Sequence, residues 1–182
     1  MVNEHFEEAF NKEDRIAQKP YRILGIDPGS RITGYGIIEA KGNQISYITA
    51  GVIKTNTDDL GQRLHTIHQG IQEIIQTYQP SMCAIEQVFV KINMQSALKL
   101  GQARGAALAA VGQYALEVFE YSPRSIKQSV SGYGGADKAQ IQKMVAILLP
   151  KAPKDLKSDA ADALGAAITH AHHAKWQSHI TS

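Results

Sequence analysis

The sequence predicts an α/β fold built on one mixed sheet of five strands. Three short β-rich segments follow one another at residues 22–27, 33–39 and 45–53, which is the spacing of an antiparallel meander. Two more short strand patterns then alternate with long helical patterns, and helices close the chain. Strands in a meander followed by alternating helices and strands predict a layered α/β domain with a mixed sheet.

The elements of the first half follow from turn signals and periodicity. Residues 41–43 (KGN) are a turn between the second and third strands. Apolar residues then recur at steps of three and four, which predicts an amphipathic helix over 58–78 that ends before Pro80. These residues are Leu60, Leu64, Ile67, Ile71, Ile74 and Tyr78. The apolar run at 82–86 is a buried strand.

The second half contains the remaining strand and four helices. Residues 96–115 form a helix rich in glycine and alanine, which we expect to be buried on more than one side. A fifth strand spans 117–121, and Ser122 with Pro123 begins a helical turn. Asp137 caps a helix that runs to residue 149, and a last helix runs from 158 to about 173.

Length and charge limit the classes of function. The chain has 182 residues, 19 Lys and Arg, and 17 Asp and Glu, for a net charge of +2. Residues 1–20 carry five of the acids and three of the bases, so the rest of the chain carries +4. We divide the chain into an extension (1–20), one main domain (21–176) and a tail (177–182). The mild positive charge predicts that any nucleic-acid contact is local.

Neither a membrane-spanning segment nor an internal disulfide is expected. No apolar run approaches the ~20 residues that span a bilayer, and the acidic amino terminus is unlike a signal peptide. The single Cys83 cannot form an internal disulfide. A reducing cytoplasm is therefore the expected location.

Four acidic residues stand where a bare charge is costly. Asp27 ends the first strand and Glu86 ends the fourth, while Asp159 and Asp162 share one face of the last helix. If all four converge, their oxygens suit divalent Mg²⁺, and a pair of such ions can promote phosphodiester hydrolysis. A structural alternative stays open. In it, Asp159 caps the helix, the charge of Asp162 interacts favourably with the helix dipole, and Glu86 forms one half of an ion pair.

Five segments together resemble the RuvC family of Holliday junction resolvases. They are residues 23–36 (ILGIDPGSRITGYG), 84–89 (AIEQVF), 96–105 (SALKLGQARG), 119–121 (FEY) with 127–128 (KQ), and 158–164 (SDAADAL). The resemblance runs in order over about residues 21–173. It implies a ribonuclease-H-like, three-layer α/β/α fold. It also implies a homodimeric endonuclease with two Mg²⁺ per active site, for which Mn²⁺ can substitute. The substrate would be four-way junction DNA nicked symmetrically in recombination and repair, and the partners RuvA and RuvB.

The resemblance also implies roles for individual residues. The catalytic, metal-binding acids fall on Asp27, Glu86, Asp159 and Asp162. The DNA-contacting lysines fall on Lys127 and Lys138, which could alternatively be solvated surface lysines. The aromatic residue that stacks on a junction base falls on Phe89, which could alternatively be a core residue.

Three features are left without a role, and three rival functions stay open. The features are residues 1–20, the Tyr133 loop, and the histidines 170, 172 and 173, which suit a metal tract or, more simply, a solvated helix end. The first rival is an actin-like ATPase or sugar kinase, because residues 24–30 resemble a phosphate loop, although 182 residues leave no room for a second lobe. The others are a plain ribonuclease H and a protein that only holds junctions.

Overall fold

The computed structural model describes residues 19–88 and 94–180, the last six of these as backbone only. The strands are β1 (Tyr21–Asp27), β2 (Ile32–Lys41), β3 (Gln44–Lys54), β4 (Met82–Glu86) and β5 (Glu117–Tyr121). The helices are α1 (Leu60–Tyr78), α2 (Met94–Gln113), α3 (Pro123–Ser131), α4 (Lys138–Leu148) and α5 (Ser158–Ile180). All five predicted strands are confirmed, and so is the alternation of strands and helices.

The five strands form one mixed sheet in the order β3-β2-β1-β4-β5. The β1–β2 and β2–β3 pairs are antiparallel, and Gly42, with φ 53°, makes the tight turn between β2 and β3. The β1–β4 and β4–β5 pairs are parallel. Because Ile26 pairs with Ile85, the carboxyl ends of β1 and β4 lie side by side at one edge of the sheet.

Two apolar cores sandwich the sheet, as expected for three α/β/α layers. Successive strand residues face opposite sides, so Ile23 packs with α3, α4 and α5 while Leu24 packs with α1 and α2. In β4, Ala84 joins the first core, and Cys83 and Ile85 join the second. This alternation decides which way the last residue of each strand points.

Glycines in β1 and β2 bring α5 unusually close to the sheet. A Cβ on Gly25 would lie 1.9 Å from the carbonyl oxygen of Ala163, and one on Gly34 would lie 1.9 Å from that of Asp159. No side chain fits in such a gap, so only glycine permits the contact. The buried alanines of α5, including Ala160 and Ala163, complete this contact as their small size predicts.

The caps that the sequence predicts are present. Ser122 accepts a hydrogen bond from the backbone N–H of Ser125 at the start of α3. Asp137 accepts one from Gln140, whose side chain accepts one from the Asp137 N–H, a complete capping box for α4. Because the two caps fix where α3 and α4 begin, they also fix the positions of the lysines that follow them.

Two predictions for the helices are wrong. The buried side of α2 is a single stripe of four residues, Ala103, Ala107, Ala110 and Val111, and its described glycines face open space. Helix α5 continues to Ile180, beyond the predicted end near residue 173. Residues 1–18, which make up most of the predicted extension, lie outside the described residues. Among the described helices, none combines the length and apolar character needed to cross a bilayer.

Candidate active site

Asp27 and Glu86 lie side by side at the ends of adjacent parallel strands. Asp27 is the last residue of β1 and Glu86 the last of β4. Strand alternation turns both toward the face of the sheet that α5 covers, since Ile23 and Ala84 of the same strands face that core. Both carboxylates line one cleft of about 190 Å³.

Helix α5 brings the other two acids to the same edge of the sheet. Asp159 and Asp162 occupy its first turns, three residues apart, and Asp162 lines the cleft. Asp159 lies within the first turn rather than at the cap, which excludes the capping alternative. The close contact of its carbonyl with Gly34 sets the height of this turn, and Gly34 pairs with Asp27 in the sheet. Three separate elements therefore supply the four carboxylates.

Burial and mutual repulsion change the acidity of the strand carboxylates. Desolvation, followed by the charges of Glu86, Asp162 and Asp159, raises the pKa of Asp27 to about 8. Desolvation and the charge of Asp162 raise the pKa of Glu86 to about 7. Burial also raises the pKa of Asp162, against the opposing charge of a lysine. Neighbouring carboxyl groups whose pKa values are raised by burial and by mutual repulsion are typical of a site that binds a cation.

Both predicted lysines reach this cluster. Lys138, the first residue of α4, places Nζ 3.4 Å from Asp162 Oδ2, and the Asp162 charge raises the pKa of the lysine. Lys127, on α3, lines the same cleft, and its charge opposes the rise in the pKa of Glu86. Both lysines therefore border the carboxylates, while Lys138 stays largely exposed to solvent, with 73% of its side chain accessible. The remaining predicted site residue, Phe89, lies outside the described residues.

The carboxylates share one electrostatic environment without forming a closed metal shell. Within residues 19–88 and 94–174, whose side chains the structure describes, no three His, Cys, Asp or Glu side chains are already arranged to bind a metal ion. The donor set is nonetheless all oxygen, which suits a hard cation such as Mg²⁺. In its place the ammonium of Lys138 supplies the nearest positive charge to Asp162. Metal binding would thus require the side chains to draw together.

A second cleft, of about 470 Å³, meets the first at Asp27 and Glu86. It is also lined by Ser122, Pro123 and Arg124, where α3 begins. The sequence pattern did not distinguish Arg124 from other surface arginines. The available signal was its position, because a basic residue in the first turn of a helix beside a cluster of acids is well placed for phosphate. Gly34 was also missed, since only the packed structure shows what lies above it.

The carboxyl-terminal histidines have structural partners. His170 is only 5% exposed, and its ring lies 2.8 Å from the Tyr121 hydroxyl and 4.0 Å from the centre of Phe119. Burial and the nearby His173 lower the pKa of His170. His172 makes a hydrogen bond with Ser129 Oγ. The interpretation of a wholly solvated helix end is therefore wrong for His170, which is a core residue.

Comparison with known proteins identifies the family. The family model "Crossover junction endodeoxyribonuclease RuvC" matches residues 23–170. A protein of that name from Dichelobacter nodosus is 59% identical over 152 residues, which cover 84% of this chain and 86% of the relative. Another, from Klebsiella pneumoniae, is 57% identical over 82% of this chain and 86% of its own length.

A solved structure gives the same result at the level of the fold. T. thermophilus RuvC in complex with Holliday junction substrate matches with a TM-score of 0.80 and 31% identity, covering 86% of this chain and 96% of that one. The chain belongs to the RuvC family of crossover junction endodeoxyribonucleases.

Proposed function

We propose that this protein is a structure-specific endodeoxyribonuclease that resolves Holliday junctions in DNA recombination and repair. The family is one of metal-dependent nucleases. The observation that carries the proposal is the meeting of four carboxylates from β1, β4 and α5 with two lysines at one edge of the sheet. Paired nicks placed symmetrically across the junction are the proposed reaction, and they leave ends that a ligase can rejoin.

The four carboxylates are the proposed ligands of two Mg²⁺ ions, with Mn²⁺ as a substitute. The donor atoms of Asp27, Glu86, Asp159 and Asp162 fit because they are all oxygens. Burial and neighbouring charges also make the ionisation of Asp27 and Glu86 costly without a cation. Divalent ions bound there would supply the positive charge needed to activate water and to stabilise the departing 3′ oxygen. We propose that Asp162 exchanges its contact with Lys138 for a contact with metal.

The chain's own cations bind the phosphate groups of the DNA in this proposal. Lys138 is suited to this because its side chain is 73% exposed while its ammonium already lies at the carboxylates. Lys127 lines the same cleft from one turn into α3. Both follow helix starts, where free N–H groups favour anions. For Phe89, stacking on an unpaired junction base is the role that the family resemblance supports.

A homodimer is the proposed active form. A four-way junction has near two-fold symmetry, so two sites related by a two-fold axis can nick opposing strands. The apolar side chains Met94 and Leu98 on α2 are 84% and 64% exposed, a surface that a second copy would cover. Association with RuvA and RuvB, and a cytoplasmic location, are further parts of the proposal; family resemblance supports the first, and the unpaired Cys83 the second.

One gel experiment separates the proposed function from its rivals. A synthetic four-way junction, a matching duplex and an RNA–DNA hybrid are each incubated with the full chain, with and without Mg²⁺. We expect symmetric nicks in the junction alone, and only with Mg²⁺. Cleavage of the hybrid would instead identify a ribonuclease H, and tight junction binding without any nick would identify an architectural protein. ATP binding by the same chain would favour the actin-like rival.

A further inference from the structure

A groove lined by serine, arginine, glutamine and histidine residues lies beside the active site, next to α3. It encloses about 690 Å³ between α3 and the carboxyl-terminal part of α5. Its walls carry Arg124, Ser125 and Gln128 on one side and His172 and His173 on the other. No carboxylate lines the groove among the residues that the structure describes. The guanidinium carries a fixed positive charge, and the hydroxyls, the amide and the imidazoles can add O–H and N–H donors, so this lining can bind an anion.

Arg124 differs from the other described arginines. Arg22, Arg31 and Arg104 each form an ion pair with a carboxylate, and Arg63 is buried. Arg124 is exposed and pairs with no carboxylate in the part of the chain that the structure describes. Because a planar guanidinium presents a fork of N–H donors, an unpaired one on a surface is available to bind a phosphate.

The backbone around Arg124 favours an anion at the same place. Pro123 has no N–H, and the N–H groups of Ser125 and Ile126 both donate to Ser122. The N–H of Arg124 is therefore the remaining donor of this first turn. Gly134 lets the stem of Arg124 lie against the loop, since a Cβ there would come within 3.0 Å of Arg124 Cγ. The guanidinium thus projects from a supported position.

The groove is continuous with the active site. Ser122 and Arg124 line both the groove and the 470 Å³ cleft that contains Asp27 and Glu86. We infer that the DNA strand being cut continues past the start of α3 into this groove, with Arg124 binding a phosphate next to the scissile one. This inference rests on the proposed nuclease function and adds a phosphate-binding subsite to it, separate from Lys127 and Lys138.

The salt dependence of junction binding tests the subsite. Each phosphate contact adds about 0.9 to the slope of log K against log salt. We expect Arg124→Gln to lower that slope by about 0.9 and to weaken junction binding about 3- to 10-fold. Arg124→Lys should retain most of the slope because it keeps the charge. The matched control is Lys41→Gln, which removes one exposed charge at the opposite end of the sheet and should alter neither quantity.

Neutral phosphate analogues locate the contact. Single methylphosphonates are placed one, two or three nucleotides to either side of the cut, and binding and cutting are measured with the parent chain and with Arg124→Gln. At one position the analogue should weaken the parent and leave Arg124→Gln unaffected. If Arg124→Gln behaves like Lys41→Gln, or if the analogue and the substitution add fully at every position, the subsite is overturned. The proposed function fails separately, through a parent chain that neither binds nor cuts the junction.

Discussion

The Nζ of Lys138 lies 3.4 Å from Oδ2 of Asp162, joining the first residue of α4 to the second turn of α5. The lysine side chain is 73% exposed and the aspartate side chain only 19%, so a solvated cation reaches into a largely buried acidic cluster. Its charge also opposes the rise in the pKa of Asp27 and Glu86. In the metal-free protein, Lys138 therefore partly offsets the repulsion among the carboxylates.

Replacing Lys138 should destabilise the metal-free protein at alkaline pH. Lys138→Gln removes the charge that faces Asp162, and a partly exposed pair of this kind contributes about 0.2–1 kcal/mol. We expect the Tm in EDTA at pH 8 to fall by about 1–3 °C, measured by calorimetry. Lys138→Arg is the control and should stay near the parent. An unchanged Tm in Lys138→Gln would show that the contact makes no net contribution.

The stability of the metal-free protein should fall as the pH rises. The folded-state pKa of Asp27 is raised from 3.8 to about 8 and that of Glu86 from 4.5 to about 7. The folded chain therefore holds these protons more tightly than the unfolded chain. The stability gained in this way is complete below about pH 4 and is lost as the pH rises through 7 and 8. Calorimetry in EDTA should show a falling Tm from pH 5.5 to 8.5, with a smaller fall in Asp27→Asn; equal slopes for the two proteins would contradict the assignment.

Mg²⁺ should stabilise the protein more at pH 8 than at pH 5.5. A cation that binds only the folded state raises its stability by mass action, and binding requires ionised carboxylates. At pH 5.5, protons compete at Asp27 and Glu86, whereas at pH 8 they compete much less. We expect about 10 mM Mg²⁺ to raise the Tm clearly at pH 8 and little at pH 5.5. A rise of equal size at both values would place the bound ion elsewhere.

The element pattern and the caps could be predicted from the sequence because both are local. Ser122 and Asp137 act within one helical turn, and the apolar spacing of α1 depends only on its own residues. The positions of Asp27 and Glu86 could be predicted as well, since each ends a strand and parallel strands align their carboxyl ends. Strand parity then carries both side chains to one face.

Contacts between distant segments were beyond a local pattern. The contact between Gly34 and the carbonyl of Asp159 joins residues 125 positions apart. Neither the sequence around the glycine nor the sequence of the helix predicts this contact by itself. The small residues of α2 have the composition of a helix packed on two sides, yet only one stripe is buried. Arg124 could not be singled out from the sequence, because its distinguishing feature is that it pairs with no carboxylate among the described residues. The carboxylates that pair with Arg22, Arg31 and Arg104 are known only from the folded structure.

Asp27→Asn should separate DNA binding from cutting. The substitution keeps the size of the side chain and removes the charge that a metal ligand needs. We expect junction affinity to stay within about 3-fold of the parent while the cutting rate falls more than about 100-fold. Asp155→Asn, an exposed acid outside the cluster, is the matched control and should cut normally. The rates are measured on a synthetic junction in Mg²⁺, and near-normal cutting by Asp27→Asn would remove it from the catalytic set.

Gly34→Ala should impair the site without altering any charged group. The added Cβ would lie 1.9 Å from the carbonyl oxygen of Asp159, so the first turn of α5 must move away from the sheet. Overpacking of this kind costs about 1–3 kcal/mol, and a shift of about 1 Å in a catalytic group lowers rates by up to about 100-fold. Gly112→Ala is the control, because a Cβ there meets nothing within 4 Å and alanine favours the helix. The free energy of unfolding, measured with denaturant, and the rate of junction cutting should both be lowered in Gly34→Ala and not in Gly112→Ala. If Gly34→Ala is destabilised but cuts at the parent rate while folded, the close contact stabilises α5 without positioning Asp159 and Asp162.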